Sequence, residues 1–238
     1  IDRLNASNHE LEQFAYVASH DLQEPLRIVS SYVSLLKRRY VDHLDNDAQA
    51  FIGYAMEGTQ RMQSLILDLL QLSRIGTQGK ELGATDLSPV VETALANLDQ
   101  MIKETQASII IRDPLPTVLG DGLQLVRLFQ NLIGNALKYR HRDRSPVVMI
   151  QCRFEGGLWH LVVEDNGLGI AEAFRERIFL IFQRLQSRED SQGNGIGLAI
   201  CRKIIERHGG MIWVDGEEGQ GSRFHVTLRR QDDTLPGL

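Results

Sequence analysis

The sequence is short of the features that would place it in several common classes. It has two cysteines, Cys152 and Cys201, with no close-spaced mate and no metal-ligand pattern around them. A zinc module or disulfide framework is thereby excluded, and small apolar packing roles in a reducing compartment are expected for both. No apolar run approaches the roughly 20 residues of a membrane span. The first residues are polar rather than signal-like, so the segment is expected to be cytoplasmic, without membrane contact. Basic residues are not in excess either: the formal charge is −5, with both signs mixed along the chain. That leaves no basic stripe to hold nucleic acid or an anionic membrane. Repeats and low-complexity tracts are lacking, and 238 residues of ordinary apolar content are enough for one large domain or two small ones.

What is present begins with helical periodicity. Ile1, Leu4, Leu11, Ala15, Ala18, Leu22, Leu26, Val29, Val33 and Leu36 recur at the spacing of one amphipathic helix from Ile1 to about Arg39. Leu4 and Leu11 read as a heptad seam, which predicts a coiled coil continuing from an upstream domain, and Pro25 predicts a local bend. After a turn-like stretch from Tyr40 to Asp45, Ala48, Phe51, Ile52, Ala55, Met62, Leu65, Ile66, Leu69 and Leu72 mark a second helix. The pair predicts an antiparallel hairpin whose apolar stripe needs a second copy to cover it, hence a homodimer with a four-helix bundle.

Composition changes between Gly76 and Gly83, so a domain boundary is placed there, giving segments 1–78 and 79–238. Beyond it, strand-like runs (Ser108 to Ile111, Val147 to Phe154, Leu158 to Glu164, Met211 to Asp215, Ser222 to Leu228) alternate with helical ones (Ser88 to Gln106, Gly122 to Lys138, Ile196 to His208). This pattern predicts an α/β sandwich.

Three clusters in the second segment could carry chemistry. Asn131, Asn135 and Lys138 share one face of a helix, followed by Tyr139; an amide oxygen can ligate Mg²⁺ and a lysine can meet phosphate, although a solvated polar face would look the same. Asp165-Asn166-Gly167-Leu168-Gly169 follows an apolar strand. Its carboxylate could accept from an adenine amino group while Gly167 and Gly169 let backbone approach a ligand, but Asp-Asn-Gly is also an ordinary turn. Gly193-Asn194-Gly195-Ile196-Gly197 leads into a helix, where exposed N–H groups suit a triphosphate; the alternative is a flexible loop. It is neither a Walker A loop nor a dinucleotide fingerprint.

Taken together, in their order and separations, these clusters resemble the sensor histidine kinases, whose ATP-binding domain belongs to the GHKL (Bergerat-type) superfamily shared with DNA gyrase. Asn131 to Tyr139 is similar to the N box, Asp165 to Gly169 to the G1 box and Gly193 to Gly197 to the G2 box. Phe179-Leu-Ile-Phe182-Gln-Arg184 resembles the F box. The run Ser19-His20-Asp21-Leu22-Gln23-Glu24-Pro25-Leu26-Arg27 resembles the H box, in a variant like that of phytochrome-linked kinases.

The resemblance implies a HisKA-type phosphoacceptor hairpin joined to an ATP-binding domain, which phosphorylates His20 and passes the phosphoryl group to an aspartate of a response regulator receiver domain. His20 would be the acceptor and Asp21 the carboxylate that orients it and takes its proton. Asn135 would ligate Mg²⁺, Asn131, Lys138 and Tyr139 would line the nucleotide, and Asp165 would read adenine. Gly167, Gly169, Gly193, Gly195 and Gly197 would admit ATP closely, and Arg184 would offset charge on the γ-phosphoryl. Phe179 and Phe182 would pack to anchor a lid between Gly169 and Gly193. Two departures stand out. Asn131 replaces the glutamate that activates water in the hydrolytic relatives, which favours a kinase over an ATPase, and Glu24 stands where many H boxes carry Thr or Asn, which puts phosphatase activity in doubt. The competing readings are a GHKL ATPase, which leaves the H box unexplained, and a degenerate dimeric scaffold.

Overall fold

The computed structural model describes residues 22–77, 80–183 and 194–232, with backbone alone at 76–77. The chain divides into two compact units, Ile1–Arg74 and Ile75–Leu238.

In the first unit helix α1 covers 22–40, and a 3₁₀ turn, Val41–His43, leads to α2, Asn46–Thr77. The amino-terminal half of the expected first helix, with its heptad seam, lies outside the described residues. Asp45 starts α2 by accepting the Ala48 N–H at 2.8 Å, and the Gln49 amide ties the 3₁₀ turn by donating to Val41 O and Leu44 O. Leu26, Thr59 and Leu70 are buried, while Tyr32, Phe51 and Tyr54 remain 67–69% exposed.

The second unit is a two-layer sandwich. A five-stranded sheet has the order β2 (Ser108–Ile111), β4 (Val147–Glu155), β5 (Leu158–Asp165), β7 (Gly221–Leu228), β6 (Ile212–Glu217), with β2 parallel to β4 and the rest antiparallel. Alternation explains the layers: Val148, Ile150, Leu161, Val163, Phe224 and Val226 are buried on one face. On β5 to β7 the other face carries a stack of His160, His225 and Trp213, with ring centroids about 5 Å apart. Against the buried face lie α5 (Gly122–Lys138) and α6 (Gly197–Arg207), and α3 (Leu87–Asn97) packs on α5. The α5 residues Leu125, Leu128, Phe129, Leu132, Ile133 and Ala136 form the apolar stripe of this layer.

Three features depart from the sequence reading. The single helix expected from Ser88 to Gln106 is two, α3 and α4 (Asp99–Thr105), broken at Leu98. Asn97 and Asp99 flank the break, and such side chains compete with helical backbone bonding. A small antiparallel sheet of β1 (Gly83–Asp86) and β3 (Thr117–Gly120) was not expected. The expected strand start at Met211 shifts to Ile212, because Met211 N–H turns to the Thr227 hydroxyl oxygen.

A buried polar knot fastens the helical layer to β3. Asp121 caps α5 by accepting from Leu123 N–H and Gln124 N–H, and its own N–H donates to His208 Nε2 at 2.9 Å. His208 Nδ1 then donates to Ile204 O at 2.7 Å. Both ring nitrogens are satisfied only in the neutral ring, and burial, the leading cause, holds the His208 pKa below its ordinary 6.5. The unfolded chain therefore binds more protons as pH falls through 6.5, so this group costs stability on the acid side. His208→Ala should lose about 2–4 kcal/mol at neutral pH. In urea titrations from pH 7.5 to 5.5 the variant should show a shallower fall than the parent; equal slopes would contradict the assignment.

Candidate nucleotide site

The polar side of α5 is the floor of the site. The apolar spacing that buries Leu128, Leu132 and Leu137 turns Asn131, Asn135 and Lys138 to the opposite, half-buried side. Asn131 Nδ2 donates to Arg127 O at 3.1 Å. The Asn135 side chain has no hydrogen-bond partner among the described residues, and its carbonyl closes the helix by accepting from Tyr139 N–H. Lys138 Nζ lies 4.6 Å from the centre of the Tyr139 ring and donates to the Tyr139 hydroxyl at 3.0 Å. The ammonium is thus held at the helix end, where its charge also suits the macrodipole.

The other two clusters converge on this helix. A Cβ added to Gly197, the first residue of α6, would lie 2.8 Å from Asn131 Oδ1, so the α6 amino terminus sits directly against the Asn131 side chain and any larger residue would have to displace it. Tyr139 O accepts Leu168 N–H at 2.9 Å, and a Cβ on Gly167 would stand 2.6 Å from it. Gly169 packs equally closely on the β6–β7 turn: its Cβ would fall 2.0 Å from Glu217 O. Gly195, at φ +70°, accepts Phe182 N–H at 2.9 Å.

Asp165, at the end of the central strand β5, is the chemical focus. Its Oδ1 accepts Gly167 N–H at 2.8 Å and Ser222 N–H at 3.3 Å. Oδ2 has no hydrogen bond among the described residues. Burial pushes the carboxyl up from its ordinary range, and the two N–H groups and the Arg144 charge oppose that rise. The result is an anchored carboxylate with one oxygen open to an external donor.

His20, Asp21, Arg184 and Gly193 lie outside the described residues. Phe179 is buried, with the Arg202 guanidinium 5.1 Å above its ring, as expected of a packing residue. Phe182 is not: it is 61% exposed, with φ +64°, and its backbone rather than its ring makes the tie, to Gly195. The sequence reading also missed Ser222 and Arg144. Ser222 reaches the site only because β7 pairs with β5, and no local pattern marks it.

Residues 120–232 match the family described as histidine kinase-, DNA gyrase B- and HSP90-like ATPase, and residues 10–78 match the His Kinase A (phospho-acceptor) domain. Cyanobacterial phytochrome A of Nostoc sp. is 50% identical over 94% of this chain and 29% of its own length. The phytochrome-like protein Cph1 of Synechocystis sp. is 48% identical over 94% of this chain and 30% of its own. The chain thus spans about three tenths of these relatives. Among solved structures, ShkA, full-length in complex with AMPPNP, matches at 27% identity and TM-score 0.69, covering 91% of this chain and 45% of its own. The mycobacterial sensor histidine kinase MprB matches at 25% and 0.55, covering 63% of this chain and 99% of its own. Among the described residues, no helix is long and apolar enough to cross a membrane.

Proposed function

The chain belongs to the sensor histidine kinases, and from that premise we propose that it is a kinase core in which residues 79–238 bind ATP and phosphorylate His20 within residues 1–78. The observation that carries this reading is the Asp165 carboxylate, with Oδ1 fixed by two backbone N–H groups and Oδ2 open for the adenine amino group. The triphosphate would run from there along α5 to the amino terminus of α6, whose first-turn N–H groups would face its oxygens.

Magnesium fits the same floor, because the Asn135 amide is uncommitted among the described residues and offers an oxygen ligand, with Lys138 beside it for phosphate oxygens. When bound, the ion neutralises phosphate charge and orients the γ-phosphoryl for transfer. A His20 ring nitrogen would attack phosphorus as the bond to the ADP oxygen breaks, Asp21 would take the ring proton, and Arg184 would balance charge on the moving phosphoryl. Asn131 cannot serve as a base for water, so the acceptor is the imidazole rather than solvent. The phosphoryl group would then pass to the receiver aspartate of a response regulator. An upstream sensor domain would supply the signal; the relatives named phytochromes are about three times as long as this chain.

A homodimer is the natural assembly. Tyr32, Phe51, Tyr54, Leu22 and Leu67 are each at least half exposed on the hairpin, and burying such side chains contributes about 1.5–3 kcal/mol apiece. Several together outweigh an association cost of about 4–15 kcal/mol. In light scattering the chain should be dimeric at micromolar concentration. Phe51→Glu should lower dimerisation and phosphorylation together while leaving ATP affinity intact; a monomeric parent would reject this assembly.

The kinase reading is tested with γ-labelled ATP and Mg²⁺. His20→Gln should abolish acid-labile labelling with ATP affinity nearly unchanged, whereas Asp165→Asn should lose roughly tenfold or more in ATP affinity. Undiminished labelling of His20→Gln would reject His20 as the acceptor.

A further inference from the structure

The connection that follows α5 folds back over the Asp165 loop and straps a second turn onto it. Arg144 Nη2 donates to Gly167 O at 3.3 Å and to Gly219 O at 3.2 Å, so one guanidinium nitrogen spans the Asp165 loop and the β6–β7 turn. Gly219 O also lies 3.0 Å from His141 Nε2 on the same connection, and Gly219 N–H donates to Leu168 O at 2.7 Å. The turn leads into Ser222, whose N–H is one of the two donors to Asp165 Oδ1. Its backbone is seated without slack, since a Cβ on Gly221 would fall 1.9 Å from Asp165 O. The far end of the connection is pinned independently: Asn166 Oδ1 accepts Val147 N–H at 2.8 Å and Asn166 Nδ2 donates to Ser145 O at 3.1 Å.

The charges acting on Asp165 are few. Glu164 precedes it on β5, and Arg144 lies on the connection, with His141 nearby on the same strap. β4 places Val148 opposite Asp165, and β7 contributes the uncharged Ser222.

Resting on the reading of Asp165 as the adenine reader, we propose that Arg144 is a positioning residue for nucleotide selectivity: its bonds to Gly167 O and Gly219 O hold the Asp165 loop and the turn that leads into Ser222, so that Asp165 acts purely as an acceptor. An ionised carboxylate accepts from the 6-amino group of adenine. A protonated one can instead donate to the 6-oxo group of hypoxanthine. The Arg144 charge lowers the Asp165 pKa against the rise that burial causes. Its removal therefore lets Asp165 protonate at higher pH and erodes the preference for ATP from the acid side upward.

The experiment is calorimetric titration of the full chain with Mg-ATP and Mg-ITP from pH 5 to 8. The parent should prefer ATP, with the preference collapsing as pH falls. Arg144→Ala should reduce the ATP to ITP affinity ratio about three- to fivefold at neutral pH, the range set by a solvent-exposed charge, and move the collapse to higher pH. Arg144→Gln, which keeps a donor but no charge, should follow Ala in its pH profile, and Arg144→Lys should return toward the parent. Arg153→Ala, an equal charge loss on β4, should change neither. If the parent binds neither nucleotide, the nucleotide-site reading itself fails. If the parent prefers ATP but Arg144→Ala and Arg144→Gln keep its ratio and pH profile, or lose both nucleotides equally, the role of Arg144 is overturned.

Discussion

The second unit depends on holding a half-satisfied carboxylate at the end of its central strand. Burying Asp165 is costly unless its charge is met, and two backbone N–H groups meet only Oδ1. To bring those donors in, β7 must pair with β5 in the register that sets Glu164 against Arg223, and Gly221 must press on Asp165 O. The glycines at 167, 169 and 221 answer this constraint: each accepts a backbone approach that any side chain would block. The open Oδ2 is the other side of the same arrangement. It is an acceptor without a hydrogen-bond partner among the described residues, and a ligand donor can complete it.

Helix α5 joins this carboxylate to the rest of the site. Its apolar side is the core of the sandwich, so packing energy fixes its rotation, and that rotation determines where Asn131, Asn135 and Lys138 point. Its first turn is locked by Asp121 and, through it, by His208 and Arg207 of α6. Its end is locked by Tyr139 to the Asp165 loop. A helix held at both ends keeps its Asn131, Asn135 and Lys138 side in register with the Asp165 loop and the amino terminus of α6, the kind of preorganisation on which phosphoryl transfer relies.

Much of this was legible in the sequence because the signals are local. Gly122 to Lys138 is marked by its apolar period and matches α5 residue for residue, and Ser108 to Ile111 matches β2. The three polar and glycine clusters are contiguous runs, and the structure places the described parts of all three around α5. What escaped is non-local. β1 and β3 have four residues each and exist through pairing with one another. Arg144 acts on carbonyls 23 and 75 residues away, and Ser222 reaches Asp165 across a strand pair. Phe182 was misread because its apolar side chain suggests packing, whereas its left-handed backbone serves the tie to Gly195.

The central claim is that the γ-phosphoryl group leaves ATP for an imidazole and not for water. The most direct measurement follows its fate: the intact chain is mixed with labelled Mg-ATP, and protein-bound and free phosphate are quantified over time, with the bound label mapped to a peptide. The account predicts acid-labile label accumulating on the peptide containing His20 toward stoichiometric occupancy, with little free phosphate released. Continuous release of phosphate over many turnovers with no protein-bound label would contradict it and identify the chain as a hydrolase.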